Sequence, residues 1–209
     1  MTESTRTPDD TSADPRAALE RLLEGNARFA DGAPAHPNQS ADHRRILTGR
    51  QSPFAVVLGC SDSRASVELL FDQGFGDLFV VRNAGQVVGG HGSAQASIEF
   101  AVDKLGVQVV LVLGHEGCGA VAATVAHLEG AEPLPGSMQV LVDLTAPHLD
   151  PADPSRDAVE RHVRGAVADL RGMSEIVAAA EAEGRIVVAG GVYSLHDGRV
   201  RTVELPAPR

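Results

Sequence analysis

The sequence predicts an α/β fold: a central, mostly parallel β-sheet flanked by helices, with an N-terminal helical arm and a C-terminal antiparallel edge hairpin. Three observations predict it. Short runs that are apolar throughout, such as FAVVLG (54–59) and VQVVLVLG (107–114), read as strands buried on both faces. Segments of helical length separate them, so strand and helix alternate through the middle of the chain. Near the C-terminus, Asp197-Gly198 lies between RIVVAGGVYSL (185–195) and RVRTVEL, the pattern of a hairpin.

Each element has its own signal. Residues 1–13 are polar and are expected to form a disordered tail. Residues 14–50 form the helical arm. Asp14 is placed as an N-cap with Pro15 at the first helical position, and Ala18, Leu19, Leu22, Leu23 and Phe29 follow at helical spacing until Gly32. After the irregular GAPAHPNQS comes a short helix around Asp42 to Leu47. FAVVLG is then a strand, SVELLFDQG (66–74) a helix, DLFVVRN (77–83) a strand and SAQASIEFAVDKLG (93–106) a helix. VQVVLVLG is the next strand and CGAVAATVAHLEG (118–130) the next helix. Residues 131–157 are rich in Pro and Asp and read as a broken connection with one short helix. Two helices, AVERHVRGAVADLRG and SEIVAAAEAEG, lead to the strand RIVVAGGVYSL.

Composition narrows the function. A chain of 209 residues, 43% apolar, is sized for one domain spanning 1–209. A formal net charge of -10 argues against a nucleic-acid or anionic-membrane partner. With no Trp, one Tyr and six Phe, a stacking platform for bases is not expected. Two cysteines do not make a disulfide framework, the N-terminus lacks an apolar signal core, and no apolar run approaches a membrane span. The expected location is the cytoplasm, where thiols stay reduced and can bind metal.

The chemistry gathers at three strand ends. Ligand pockets in open parallel sheets lie beyond the carboxyl ends of the strands. One strand runs into Cys60-Ser-Asp62-Ser-Arg64, the second into Val81-Arg82-Asn83-Ala84-Gly85, the third into Gly114-His115-Glu-Gly-Cys118-Gly119. Two thiolates and an imidazole suit zinc, and three protein ligands leave a fourth position open, as in catalytic sites. The expected cofactor is one Zn²⁺ per chain, held by Cys60, His115 and Cys118. Two thiolates cancel the charge of the ion, so a nearby hydrogen-bond acceptor would help to make bound hydroxide. Asp62 can be that acceptor, and Arg64 can hold it by a charge-assisted pair.

Each piece alone has a plainer meaning. A lone buried Cys is usually a small core residue, Asp-x-Arg is commonly a turn with a surface ion pair, and the glycines around Gly119 fit either a tight turn or an anion site at a helix N-terminus. A cysteine hydrolase with Cys60 as nucleophile and His115 as base leaves Cys118, Asp62 and Arg64 unexplained. A phosphatase-like C-x5-R loop fails because position 66 is Ser. A non-catalytic zinc module would fill all four positions with Cys or His. The other histidines (His36, His43, His91, His127, His148, His162 and His196) are scattered and are read as surface or packing residues.

CSDSR, VVRNAGQVV, ASIEFAV and VLGHEGCGAV, in that order, resemble the β-class carbonic anhydrases, and EGNARFADGAPAHPNQSADHR resembles their actinobacterial branch. The likeness runs from about residue 15 to about 204. It implies a zinc lyase that hydrates CO2 reversibly to bicarbonate and a proton by attack of zinc-bound hydroxide. Cys60, His115 and Cys118 match the zinc ligands, and Asp62 and Arg64 the catalytic dyad. Gln39 matches a glutamine that binds bicarbonate. Phe79 and Phe100 match the lining of an apolar CO2 pocket that Ala84 and Val87 narrow, with Gly119 beside it. Phe100 stands where a tyrosine is often found. The resemblance also implies a dimer or dimer of dimers, with the N-terminal helix wrapping the neighbour and the site at the subunit interface. The alternatives are a CS2 or COS hydrolase using the same zinc site and, more distantly, a non-catalytic zinc-binding module. Family members regulated by bicarbonate beside the zinc use a tryptophan, which this chain lacks.

Overall fold

The computed structural model describes residues 14–89 and 92–207. The tail 1–13 and His91 lie outside the described residues. Five strands form one sheet: β1 (Ala55–Cys60), β2 (Leu78–Asn83), β3 (Val109–His115), β4 (Val187–Tyr193) and β5 (Val200–Val203), in the order β2-β1-β3-β4-β5. β1 pairs in parallel with β2 and β3, and β3 with β4, while β5 runs antiparallel to β4 at the edge. The connection predicted at Asp197-Gly198 spans residues 194–199, because Tyr193 pairs with Val200.

Alternation along β1 and β3 sends successive side chains to opposite faces. Val56, Leu58, Val110 and Val112 pack on one face, under α4 (Ser93–Asp103), α7 (Ala158–Met173) and α8 (Glu175–Ala182). Ala55, Val57, Val109 and Leu111 pack on the other, under α1 (Pro15–Ala30) and α3 (Val67–Leu70). Both faces are therefore covered, which is why these strands are apolar throughout. The remaining helices are α2 (Ala41–Ile46), α5 (Gly119–Leu128) and α6 (Gln139–Thr145), the last being the short helix expected within 131–157.

The helix expected over 66–74 ends at Leu70. Asp72 adopts a left-handed conformation (φ 45°) and turns its carboxylate away from any helical role. Oδ2 accepts from Arg28 Nε (2.7 Å) and the Ala35 N–H (2.9 Å), and Oδ1 accepts from the His36 N–H (2.9 Å). Burial alone would push this carboxyl up. The Ala35 amide, Arg28 and the His36 amide together bring it below its ordinary value of 3.8. A depressed folded-state value means that the contribution to stability is fully present above the ordinary carboxylate range and is lost as pH falls through the folded value. Asp72→Asn keeps the left-handed backbone accessible but offers one acceptor oxygen to three donors. It should cost about 1–3 kcal/mol at neutral pH, with the difference from wild type shrinking below about pH 4. Urea unfolding at a series of pH values reads this directly, and a pH-independent difference would refute the assignment.

α1 lies on its own chain's sheet. Leu22 is buried in the core, and Asn26 bonds to Leu70 O, Gly198 O and the Val200 N–H, tying the helix to the β4–β5 connection. The close approach depends on Gly25, where a Cβ would overlap the Phe71 carbonyl oxygen. Helix propensity alone favours Ala over Gly by about 1 kcal/mol. Overpacking costs about 1–3 kcal/mol and more where backbone must move. Gly25→Ala should therefore destabilise the protein, with a melting temperature several degrees lower. A rise in melting temperature would show that the helix is not held this closely.

Candidate active site

Strand order reverses between β1 and β3, since β1 leads to β2 on one side and β3 to β4 on the other. The crevice beyond the carboxyl ends of these two strands is where α/β sheets place ligands. Cys60 ends β1, His115 ends β3, and Cys118 caps the start of α5. Their ligand atoms lie within 4.8 Å of one another, and all three residues are buried. The two sulfurs are 4.0 Å apart. Two thiolates on a tetrahedral zinc at the usual Zn–S distance would stand about 3.8 Å apart, so the pair fits the ion with little adjustment.

The imidazole is prepared in the same sense. His115 Nδ1 is 2.8 Å from Glu116 O, an acceptor, so Nδ1 carries the proton and Nε2 keeps its lone pair. Nε2 is buried and makes no hydrogen bond. An orphaned buried nitrogen facing two sulfurs is what a metal ligand requires. The Cys118 thiol, then His115 and the Gly85 N–H (3.3 Å), hold Cys60 down to about 3 against the effect of burial. Burial disfavours a charged His115, yet the Cys60 sulfur and the Glu116 carbonyl raise it overall. Beside it, Cys60 and burial push the Cys118 thiol up, so one of the two sulfurs is favoured as a thiolate, and that buried negative charge suits a divalent cation.

Asp62 and Arg64 meet as predicted. Arg64 Nε donates to Asp62 Oδ1 (2.9 Å) and Nη2 to Oδ2 (2.7 Å), and the Arg64 amide also donates to Oδ1 (2.9 Å). The Arg64 side chain and then its amide hold the carboxyl well below the usual carboxylate range. Asp62 stands outside the three-ligand group, with Oδ2 3.9 Å from His115 Nε2. Arg64 Nη2 also donates to Gly117 O (3.2 Å), which ties the pair to the turn between His115 and Cys118.

The other predicted residues divide into two sets. Ala84 is exposed and Val87 buried on the turn after β2, and Gly119 is exposed beside Cys118 with open space where a Cβ would lie. These three belong to the same end of the sheet as the ligands. Gln39, Phe79 and Phe100 do not. Asn38 is bonded to both oxygens of Asp77, at the opposite end of β2 from Asn83. At ~3.3 Å per residue, the six residues from Asp77 to Asn83 place the anchor of Gln39 about 20 Å from the ligand end of the strand. Phe79 pairs with Val56, four residues before Cys60, and its ring lies 6.3 Å from that of Phe100, which is 49% exposed. Within one chain these residues and the Cys-His-Cys group are apart.

Sequence reasoning missed Arg82 and Asn83. Arg82 Nε donates to Cys60 O (2.8 Å) and Nη2 to Asp62 O (2.7 Å), clamping the backbone between ligand and carboxylate. Asn83 accepts from the Val87 N–H and donates to Val87 O, closing the next turn. Their signal was a charged and an amide residue at the end of an otherwise apolar strand.

An α/β fold with a buried Cys-His-Cys group able to hold a metal ion at the switch point of its sheet, and a guanidinium-held carboxylate beside it, is the class that fold and site define. The family model for carbonic anhydrase matches residues 55–200. A carbonic anhydrase of Mycolicibacterium smegmatis is 44% identical over 194 residues, covering 90% of this chain and 93% of that protein. The Coccomyxa β-carbonic anhydrase, solved in complex with acetazolamide, superposes with a TM-score of 0.69 at 30% identity, covering 91% of this chain and 88% of that one. A tetrameric β-carbonic anhydrase of Sordaria macrospora superposes with a TM-score of 0.65 at 27% identity, covering 90% of this chain and 97% of that one. The chain belongs to the carbonic anhydrase family, in its β class and on the actinobacterial side of that class, and it is an enzyme of that family.

Proposed function

We propose that this enzyme hydrates CO2 reversibly to bicarbonate and a proton at a zinc ion held by Cys60, His115 and Cys118. The observation that carries the reading is the convergence of these three ligand atoms beside a carboxylate that Arg64 fixes at both oxygens. Bound there, zinc supplies a nucleophile near neutral pH by acidifying a water molecule. Asp62 accepts a hydrogen bond from that nucleophile and sets its orientation. Arg64 keeps Asp62 ionised and holds it off the metal. The Arg82 clamp fixes the distance between Cys60 and Asp62, so the acceptor and the ligand cannot drift apart. Ala84, Val87 and Gly119 border the substrate.

The remaining pocket residues come from a second copy. Gln39 would bind bicarbonate, and Phe79 and Phe100 would give CO2 an apolar wall, across an interface built on the edge strand β2. The half-exposed Phe100, the position of β2 at the edge of the sheet among the described residues and the tetrameric Sordaria macrospora relative support self-association as a dimer or a dimer of dimers. The chain acts as a single domain with residues 14–50 as an arm. It works in the cytoplasm on CO2 and bicarbonate, without a nucleic-acid or membrane partner. Two free thiols and the net charge of -10 support this, and among the described residues no helix is long and apolar enough to cross a membrane.

The test is stopped-flow CO2 hydration with a pH indicator, on protein of determined zinc content, from about pH 6.5 to about 9. Rapid turnover rising with pH is expected. Zinc-loaded protein inactive throughout would overturn the proposal; turnover of CS2 or COS in its place would identify the hydrolase reading, and its absence the non-catalytic one.

A further inference from the structure

Behind the Cys60 sulfur runs a chain of polar groups to which the proposed reaction gives no role. His162 on α7 is fully buried, with Nε2 2.6 Å from Gly85 O and Nδ1 2.9 Å from His148 Nδ1. His148 Nε2 is in turn 2.9 Å from Asp169 Oδ2, whose side chain is one-third exposed. The two histidines were read from the sequence as surface or packing residues. They instead form a bonded line from the surface to the turn that touches a metal ligand.

The acceptors at the two ends set the direction of every bond. Gly85 O can only accept, so His162 Nε2 carries a proton. Burial pushes His162 down to about 4, so the ring is neutral and its Nδ1 is an acceptor. Three bonds between two accepting ends need three N–H protons on the two rings, so His148 completes the line as an imidazolium, donating Nδ1–H to His162 and Nε2–H to the Asp169 carboxylate. The line is thus fully satisfied, with each atom used once.

The line is also built into α7. His162, Gly165 and Asp169 fall at i, i+3 and i+7, on one face of the helix. A Cβ at Gly165 would overlap the His148 ring, so this glycine makes the slot in which the imidazole seats. A mid-helix glycine costs about 1 kcal/mol relative to Ala. An apolar residue at position 162 would fill the core without needing any of these partners.

At the inner end lies a turn that does not hold itself. Gly85 (φ 78°) and Gln86 (φ 44°) are consecutive left-handed residues, and a non-glycine residue there costs about 1–2 kcal/mol. Asn83 pins the far side of the turn at Val87, and His162 pins Gly85 O. The Gly85 N–H points at the Cys60 sulfur from 3.3 Å.

We propose that Asp169, His148 and His162 are positioning residues that lock the 84–86 turn so that the Gly85 N–H stays on the Cys60 sulfur, tuning how strongly that thiolate holds the metal. The inference rests on the metal centre proposed above. An N–H donated to a thiolate withdraws charge from it, and outer partners of metal ligands are typically worth about 10–100-fold in metal affinity.

The experiment loads wild type, His162→Ala, His162→Gln and Asp169→Asn with cobalt(II). It measures the sulfur-to-cobalt charge-transfer band and the affinity by chelator competition. His162→Ala should bind about 10–100-fold more weakly with a displaced band. His162→Gln can place an amide N–H where imidazole Nε2–H stood, and should recover affinity to within about threefold of wild type. Asp169→Asn should fall between His162→Ala and wild type. Wild-type affinity and band in folded His162→Ala would overturn the inference. So would a glutamine variant as weak as the alanine one, which would mark His162 as packing alone. If His162→Ala does not fold, Asp169→Asn decides: a displaced band and weaker binding support the relay, and wild-type values overturn it. A wild-type protein that takes up no cobalt would overturn the metal centre, and this inference with it.

Discussion

Cys60→Ser is expected to yield a folded protein that retains no stoichiometric zinc and hydrates CO2 no faster than background, a loss on the order of 10³-fold or more. The substitution is nearly isosteric, and Cys60 belongs to a small cluster with Cys118, Val121, Leu149 and Ala158, separate from the two clusters on the faces of the sheet, so the core of the sheet is left intact. What changes is the donor. A serine hydroxyl stays protonated at neutral pH and is a poor zinc ligand, leaving His115 and Cys118 as a two-point site. The Gly85 N–H also loses the thiolate it faces. Metal analysis after dialysis against a chelator, with circular dichroism as the folding control, reads the result. A Cys60→Ser protein that keeps one zinc per chain and turns over normally would remove Cys60 from the ligand set.

Asp62→Asn is expected to separate metal binding from turnover: zinc stays, and kcat falls by about 10²–10³-fold, the range for losing one preorganised polar group at a reacting centre. Three N–H groups of Arg64 converge on the Asp62 oxygens. A carboxamide can satisfy those aimed at one oxygen only, and it turns an NH2 toward the others. Arg64 is then released from its fixed pose, and with it the contact to Gly117 O. The nucleophile loses its acceptor, while Cys60, His115 and Cys118 keep their geometry. Full activity in zinc-loaded Asp62→Asn would refute the role given to Asp62. Loss of zinc in the same variant would instead show that the 60–64 loop holds the ligands together and does little else.

The legibility of this chain differs from element to element. β1 and β3 were readable because both of their faces are buried, so periodicity gave way to a continuous apolar run that only a covered parallel strand explains. The helix over 66–74 was overextended because its end is set by Asp72 bonding to residues 28, 35 and 36, partners more than thirty positions away. The Cys-His-Cys cluster and the Asp62–Arg64 pair were legible because cysteine, histidine and paired charges are poor choices for packing at strand ends. His148 and His162 were not, because nothing local distinguishes a scattered histidine from one end of a buried line. Their partners, Gly85 and Asp169, are recognisable only once α7 lies against the turn after β2.

By itself the sequence determined the alternation of strand and helix, the Cys-His-Cys donor set and the carboxylate–guanidinium pair, since all of these follow from residue type and spacing over a few positions. Tertiary structure alone decided that Cys60 and His115 flank the switch point with their donor atoms within 4.8 Å, that His115 presents Nε2 and not Nδ1, and that Gln39, Phe79 and Phe100 stand away from the Cys-His-Cys group of their own chain. The physical reason is that donor chemistry belongs to the residue, whereas distance and tautomer belong to the partners that folding supplies: here the Glu116 carbonyl, the Gly85 amide and the order of the strands.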